Sequence, residues 1–431
     1  MKQSIIFLCF LFSINLVYSQ QDTLLFKYRR EAVGYQQSIQ MAKHNLEGAN
    51  SLIESAKAGY LPRLDADGSY NFFGNPLQLG QTDDSPNGQE LSHMYELGLW
   101  VSQPLYTGGY LNATRDLAMA RSGAAEDFIA LSEQNTMLES DALYLSVVTK
   151  KEISSLTMKY REAIADFEKV IQDRVDEEIV ALNELYQVKV RYNDAQYEVI
   201  RIEKQYRVSL MSLNRIIGVP LETQSLHMDS LLVVDWQRPA EDMVSKALQL
   251  RPEITMKENE ILMDESTEKI TASHYNPKVN VGAGATYGAP SPGLLTEPGG
   301  NYMVTARLAV PIFTWGQKND EIFAKQKITD QSKLALDQTK DIISLQVTGG
   351  YYELQQSQVQ VDFAFSALGN ASQNRDVMLD RYAEGLSSVL EVLDAQLFWQ
   401  KSYLNYIEAK FELNMAYSAY LKAMGEMSIS Q

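Results

Sequence analysis

The sequence predicts an α+β chain that is internally duplicated: a four-stranded membrane β-barrel segment joined to a long antiparallel α-helical coiled coil. Three observations predict it. A constant spacing of 207 residues carries Pro104 to Pro311, Asp173-Arg174 to Asp380-Arg381, Glu184 to Glu391 and Gly218 to Gly425. Each half holds a pair of runs in which apolar and polar residues alternate. Each half then continues into helical patterns too long for the core of an ordinary globule. A repeat of this kind dictates the fold, because each copy is one supersecondary module.

The chain starts with Lys2 and an apolar run from Ile5 to Val17, followed by Tyr18-Ser19. This reads as a signal peptide over residues 1–19, with a short N-terminal anchor helix as the other reading. The run is too short to span a membrane as a helix. Cys9, the only cysteine, lies inside it. The processed chain would therefore have no disulfide, no thiol chemistry and no cysteine for a lipid anchor. A formal charge of −17 argues against a nucleic-acid partner, which needs a basic face. No later run reaches the length of a spanning helix, which excludes a helical membrane protein but not a β-barrel.

The first repeat, residues 20–218, opens with a helix from about Leu24 to Ala58, where Ala42, Leu46, Ala49, Ile53 and Ala56 are three or four apart. Pro62 ends it. Leu64, Ala66, Gly68, Tyr70 and Phe72 then alternate with Asp65, Asp67, Ser69 and Asn71. After an expected loop at 74–93, Tyr95, Leu97, Leu99 and Val101 alternate with polar residues up to Pro104, giving a β-hairpin over 63–106. Gly108-Gly109 begin a helical pattern to about Gln172, a tip lies near 174–183, and a return helix reaches Ile217. Residues 219–238 form a linker expected to pack around the middle of the helices.

The second repeat, 239–426, begins with a helix from about Ala240 to Ser273 that Arg251-Pro252 should break. A β-hairpin over 278–313 follows, around a loop at Pro290–Gly300. A long helix to about Leu379, a tip near 381–388 and a return helix to Met424 complete it, leaving 427–431 as a tail. The strand–helix junctions fall on Pro62, Pro104, Pro277 and Pro311.

Strands of roughly ten residues suit a tilted membrane strand. Tyr60, Tyr106, Tyr275, Phe313 and Trp315 mark their helix-side ends, and Phe72, Phe73, Tyr95, Tyr287 and Tyr302 their loop-side ends, as interfacial girdles would. Two amphipathic hairpins on a soluble core are the competing reading. In hydrocarbon an open sheet edge leaves backbone groups unsatisfied, so four strands must be completed by other copies. The pattern from Gly108 to Gln172 would span on the order of 95 Å as one helix, enough to cross a compartment. A barrel and such hairpins together make a tunnel.

At the second tip, Gly385 separates two helical patterns, as a residue in the left-handed region does. Either Ser387 or Ser388 can cap the next helix, with Glu391 near capping-box spacing. Leu386, Leu390, Leu393, Leu397, Gln400, Leu404, Ile407 and Phe411 repeat every 3.5 residues, a coiled-coil seam. Glu391 and Asp394 share one helical face, for which a solvated surface is the plain alternative.

Taken together, these residues resemble the TolC family, the outer-membrane factors of tripartite efflux and type I secretion systems. The resemblance covers essentially the whole processed chain. It is carried by the duplication, the four strands and Ser-Gln-Pro-Leu-Tyr-Thr-Gly-Gly at 102–109 with its echo Val-Pro-Ile-Phe-Thr-Trp-Gly at 310–316. Leu-Arg-Pro-Glu-Ile at 250–254 and the tip add to it.

That resemblance implies a homotrimer whose strands form one barrel in outer-membrane lipid, above a helical barrel in the periplasm. It implies a passive exit duct that docks a periplasmic adaptor (membrane fusion) protein and an inner-membrane RND or ABC pump. It further implies a channel constriction at Glu391 and Asp394, braced by Tyr382 and answered by Glu184 on the first tip. Adaptor contacts would fall on Arg381, Gly385, Leu386 and Ser387, and on Arg174 and Ile179. Carboxylates crowded at a narrow mouth would favour cations, and some of their pKa values should rise.

Ser387 stands where the family often has a basic residue. Glu178 stands where the second tip has Gly385, so the two tips are expected to differ in geometry. A periplasmic coiled-coil structural or adaptor protein without a barrel is the alternative function. An enzyme is not expected: His44, His93, His227 and His274 are scattered without metal-ligand spacing, and no cofactor fingerprint occurs.

Overall fold

The computed structural model describes residues 23–79, 89–228, 230–234, 236, 242–289 and 298–429. The signal-peptide segment and parts of both hairpin loops thus lie outside the described residues. The elements are α1 (23–35), α2 (Gln37–Ala58), β1 (Arg63–Leu79), β2 (Gln89–Tyr106), α3 (Tyr110–Asp176) and α4 (Leu182–Ile217). They continue as α5 (Met243–Leu250), α6 (Pro252–Ser273), β3 (Lys278–Ala289), β4 (Gly299–Ala309), α7 (Gln317–Ala383) and α8 (Val389–Ala423). Two compact units divide the chain: one of Lys43–Asp127 with Thr255–Asp337, the other of the remaining segments.

The first unit contains the sheet. Its strands are all antiparallel in the order β1-β2-β3-β4, so β1 and β4 are edges. Leu64, Tyr70, Phe72, Leu97, Leu99, Val101, Tyr287 and Val304 are all exposed, and by strand alternation they share one face. The opposite face carries Asp65, Asp67, Glu96, Asn280 and Thr305. There the Trp100 ring packs against Gly284, where an added Cβ would come within 2.0 Å of the indole. Glycine is therefore required for that contact.

Three sequence expectations need correction. The first hairpin is longer than roughly ten residues per strand: β1 has 17 and β2 18, against 12 and 11 for β3 and β4. Much of the expected loop at 74–93 is strand, continued through a register shift between Phe72 and Leu77. Gly74-Asn75-Pro76 break the alternation there, but cross-strand pairing does not require alternation. Secondly, Pro104 does not end β2. It pairs opposite Asn280, and β2 runs on to Tyr106 past an irregularity, the setting in which a sheet tolerates a residue without an N–H. Thirdly, the first helix is two helices, parted at Gln36. By contrast, Pro62 and Pro277 immediately precede β1 and β3, and Pro311 follows β4 by two residues. The break at Arg251 occurs because a residue before proline is driven to extended backbone, here φ −77° and ψ 122°.

In the other unit, Tyr28 and Ala32 of α1 pack with Tyr144, Leu145 and Val148 of α3, Leu213 and Ile216 of α4, and Leu231. Two ion pairs are buried in it. The Arg29 guanidinium donates to both carboxylate oxygens of Asp141, which also accepts from Ser418. The Lys410 ammonium donates to Glu152 at 2.8 Å and to the Leu231 carbonyl at 3.0 Å, while the Leu231 N–H donates back to Glu152. Residues around 231 are thereby fastened to α3 and α8.

Eight described residues have positive φ, and they fall into four pairs 207 apart: Gly108/Trp315, Gly109/Gly316, Glu178/Gly385 and Gly218/Gly425. Trp315 at 54° and Glu178 at 62° hold this conformation without being glycine, at a cost of about 1–2 kcal/mol each.

Candidate functional site at the helix tips

Both long helices end in the same turn. At the end of α3, Glu178 N–H donates to the Val175 carbonyl and Ile179 N–H to the Arg174 carbonyl, each at 2.9 Å. At the end of α7, Gly385 N–H donates to Tyr382 at 3.0 Å and Leu386 N–H to Arg381 at 2.8 Å. Each left-handed residue closes the last turn and satisfies its free carbonyls. The expectation that Glu178 gives the first tip a different backbone geometry is therefore wrong. The turn's own hydrogen bonds hold the glutamate in place.

The real difference comes one turn later. Ser388 caps α8: its Oγ accepts from the Glu391 N–H at 3.3 Å, and the Glu391 carboxylate accepts from the Ser388 N–H at 2.7 Å. This reciprocal box chooses Ser388 over Ser387, whose Oγ donates to the Met378 carbonyl. Ala181 stands in the matching position before α4 and makes no side-chain cap, although Glu184 is in place three residues on. Ala181→Ser should complete the missing box and stabilise the protein by about 1 kcal/mol. The rise would appear in thermal unfolding, and an unchanged midpoint would sink the idea.

Tyr382 is buried over an apolar layer of Ile164, Phe167, Ile171, Leu185, Val188, Val389, Val392 and Leu393. Its ring meets the edge of Phe167 at 5.2 Å and the Arg174 guanidinium at 4.6 Å. Arg174 also donates to the Tyr382 and Ala383 carbonyls at 3.4 and 3.5 Å. One cation thus stacks on the tyrosine and complements the negative end of α7. Burial pushes the Tyr382 hydroxyl pKa up, Arg174 opposes this, and the half-buried Glu184 adds to the rise. Arg381, the counterpart of Arg174, donates instead to Leu386 within its own tip, at 3.0 Å.

The carboxylates behave differently from one another. The Glu391 pKa is lowered, first by the Ser388 backbone N–H and then by its hydroxyl. Within one chain this is opposite in direction to the rise expected from crowding. Asp394 lies 4.0 Å from Arg191, a partner that the sequence reading missed. The signal available was Arg191 seven residues after Glu184, hence on the same face of α4.

The expected leucine seam is also shifted. The departure is confined to its start, where Leu386 and Leu390 are exposed and Val389 and Val392 are buried instead; farther on, Leu393, Gln400 and Ile407 of the expected seam are buried. Ile179 and Leu386, 65% and 60% exposed, follow the two left-handed residues and present matched apolar side chains at the tips. Among the described residues no His/Cys/Asp/Glu cluster could hold a metal ion. Among the same residues no helix is long and apolar enough to cross a membrane.

Comparison with known proteins adds three findings. The outer membrane efflux protein family matches residues 29–219 and 243–426. The solvent efflux pump outer membrane protein SrpC of Pseudomonas putida is 21% identical over 424 residues, spanning 95% of this chain and 87% of that protein. Among solved structures, the outer-membrane channel OprN superposes with a TM-score of 0.82 at 15% identity, over 95% of this chain and 92% of that one. The outer membrane protein VceC of Vibrio cholerae gives 0.80 at 16% identity, over 94% and 96%.

Proposed function

The chain belongs to the outer membrane efflux protein family, and from that premise we propose that it is the passive exit duct of a tripartite efflux or type I secretion machine. It is an outer-membrane channel protein with a TolC-like fold, not an enzyme. Three copies would close their strands into one barrel, with the long helices forming a helical barrel in the periplasm. An inner-membrane RND or ABC pump would supply the energy through a periplasmic adaptor. The observation that carries this reading is the sheet: four strands with two unpaired edges and one exposed apolar face. Such a sheet is stable in lipid only when closed.

On this reading residues 20–218 and 239–426 are two copies of one module. The helix tips form the gate. Glu391, Asp394 and Glu184 line the constriction, and Tyr382 braces it closed under Arg174. Arg381, Gly385, Leu386, Ser387 and Ile179 are offered to the adaptor.

Single-channel recording in planar bilayers tests the duct and the acidic mouth together. The informative variant is Glu391→Gln/Asp394→Asn, because glutamine at that position still completes the capping box and only charge is removed. Wild type should give a small cation-selective conductance; the variant should conduct more and lose the cation preference. Unchanged selectivity would move the constriction elsewhere. No channel from folded, assembled protein would end the duct reading.

A further inference from the structure

We infer that β4 of one chain joins β1 of a second copy in one fixed register: Val310 opposite Ala66, Arg307 opposite Ser69, and Val304 opposite Phe72, with Ile312 bulged out. The inference rests on the proposed assembly of copies and specifies its seam. Its basis is that the two hairpins have the same register. Arg63 opposite Ser102 becomes Lys278 opposite Ala309; Leu64 opposite Val101 becomes Val279 opposite Leu308; Phe72 opposite His93 becomes Tyr287 opposite Gly300. The first strand moves by 215 residues and the second by 207 throughout. Those are the shifts that take Pro62 to Pro277 and Pro104 to Pro311.

The junction between the hairpins, β2 with β3, is a pairing that a single chain makes once. Gln103 lies opposite Val281, Trp100 opposite Gly284 and Leu97 opposite Tyr287, and Leu105 is skipped before Tyr106 meets Val279. Moving β2 forward and β3 back by the same shifts gives the β4–β1 seam, with Ile312 skipped before Phe313 meets Leu64.

Two independent features agree with it. A slip of one residue would turn one strand's side chains to the wrong face. In the inferred register Leu308 lies beside Gly68 and Ala306 beside Tyr70 on the apolar face, while Thr305 lies beside Asn71 on the polar face. Secondly, Arg307 is the only charged residue of β4, and the register places it diagonal to Asp67, within reach of a long side chain. The seam also accounts for the short β4. Residues 310–313 are not strand in one chain, although their counterparts 103–106 are, because those have β3 to pair with. Ile312 and Phe313 are accordingly 94% and 69% exposed.

Cysteine cross-linking tests this cleanly, since the chain's only cysteine is Cys9, ahead of the expected cleavage point. Thr305→Cys/Asn71→Cys should convert most of the monomer band into covalent dimer and trimer under mild oxidation. Thr305→Cys/Ser69→Cys and Thr305→Cys/Phe73→Cys, displaced by one diagonal, should stay monomeric on denaturing gels, because diagonal Cα atoms lie about 7–8 Å apart and a disulfide needs less. Ala309→Cys/Asp67→Cys is a second predicted pair, used if the first does not assemble. Native gels of the uncross-linked protein in detergent are run alongside. A trimer that cross-links only through a displaced pair, or through none, overturns the register and leaves the assembly standing. A monomer on the native gel overturns both.

Discussion

Replacing Lys410 with methionine is expected to destabilise the protein by about 3–5 kcal/mol, the usual cost of stranding a buried charge. Glu152 and Lys410 are both nearly inaccessible to solvent, and among the described residues the ammonium is the carboxylate's only charged partner within hydrogen-bond reach. Without it, Glu152 keeps a single donor, the Leu231 N–H, and the Leu231 carbonyl loses its partner too. The double variant Glu152→Leu/Lys410→Met should recover part of the loss, since a buried ion pair is often no better than an apolar pair of similar volume. Recovery should stop short of wild type by about 1–3 kcal/mol, because the Leu231 backbone groups stay unpaired. Denaturant unfolding in detergent followed by circular dichroism measures both. A loss under about 1 kcal/mol in the single variant would mean that the site is hydrated.

If the tips are the gate proposed above, Arg174→Ala should have the largest effect on it. The side chain is the one cation that stacks on Tyr382 and the one donor that reaches across to the end of α7 from the first tip. Losing a half-exposed cation–π contact and two long hydrogen bonds should cost about 1–2 kcal/mol in the closed arrangement. That corresponds to roughly a 5–30-fold shift toward the open tip. Open probability in bilayers reads it directly. Arg174→Lys should fall between, since an ammonium keeps the charge but not the planar stacking. A change smaller than about twofold in the alanine variant would show that the tips are held together elsewhere.

The parts of this fold that were legible in the sequence are those set by neighbouring residues. Strand alternation, the proline at 252 and the glycines at 108, 109, 218, 385 and 425 act locally, and each was readable. Glu178 was not, because a glutamate carries no sign of left-handed backbone; only its place in the turn does. The far half of β1 was hidden because Gly74-Asn75-Pro76 interrupt both the pattern and the pairing, which resumes with β2 at Leu77 in a shifted register. At the proposed site, the sequence did not report what Glu391, Asp394 and Tyr382 touch. Arg174 meets the Tyr382 carbonyl across 208 positions of sequence, and Asp394 meets Arg191 from another helix. No spacing rule reports such contacts. The leucine count likewise misjudged only the start of the α8 seam, where Leu386 and Leu390 are exposed, while Leu393, Gln400 and Ile407 are buried as the period requires.

The two raw sheet edges have a genetic consequence. A seam that joins the β4 edge of one chain to the β1 edge of the next is head-to-tail, so every ring needs each member to be sound at both edges. A chain damaged only at β1 can still offer β4, enter a ring and spoil it. Expressed equally with the normal chain, it should leave only about one ring in eight fully normal if three chains mix at random. Such an allele would be dominant over the normal one, whereas an allele that never folds would be recessive.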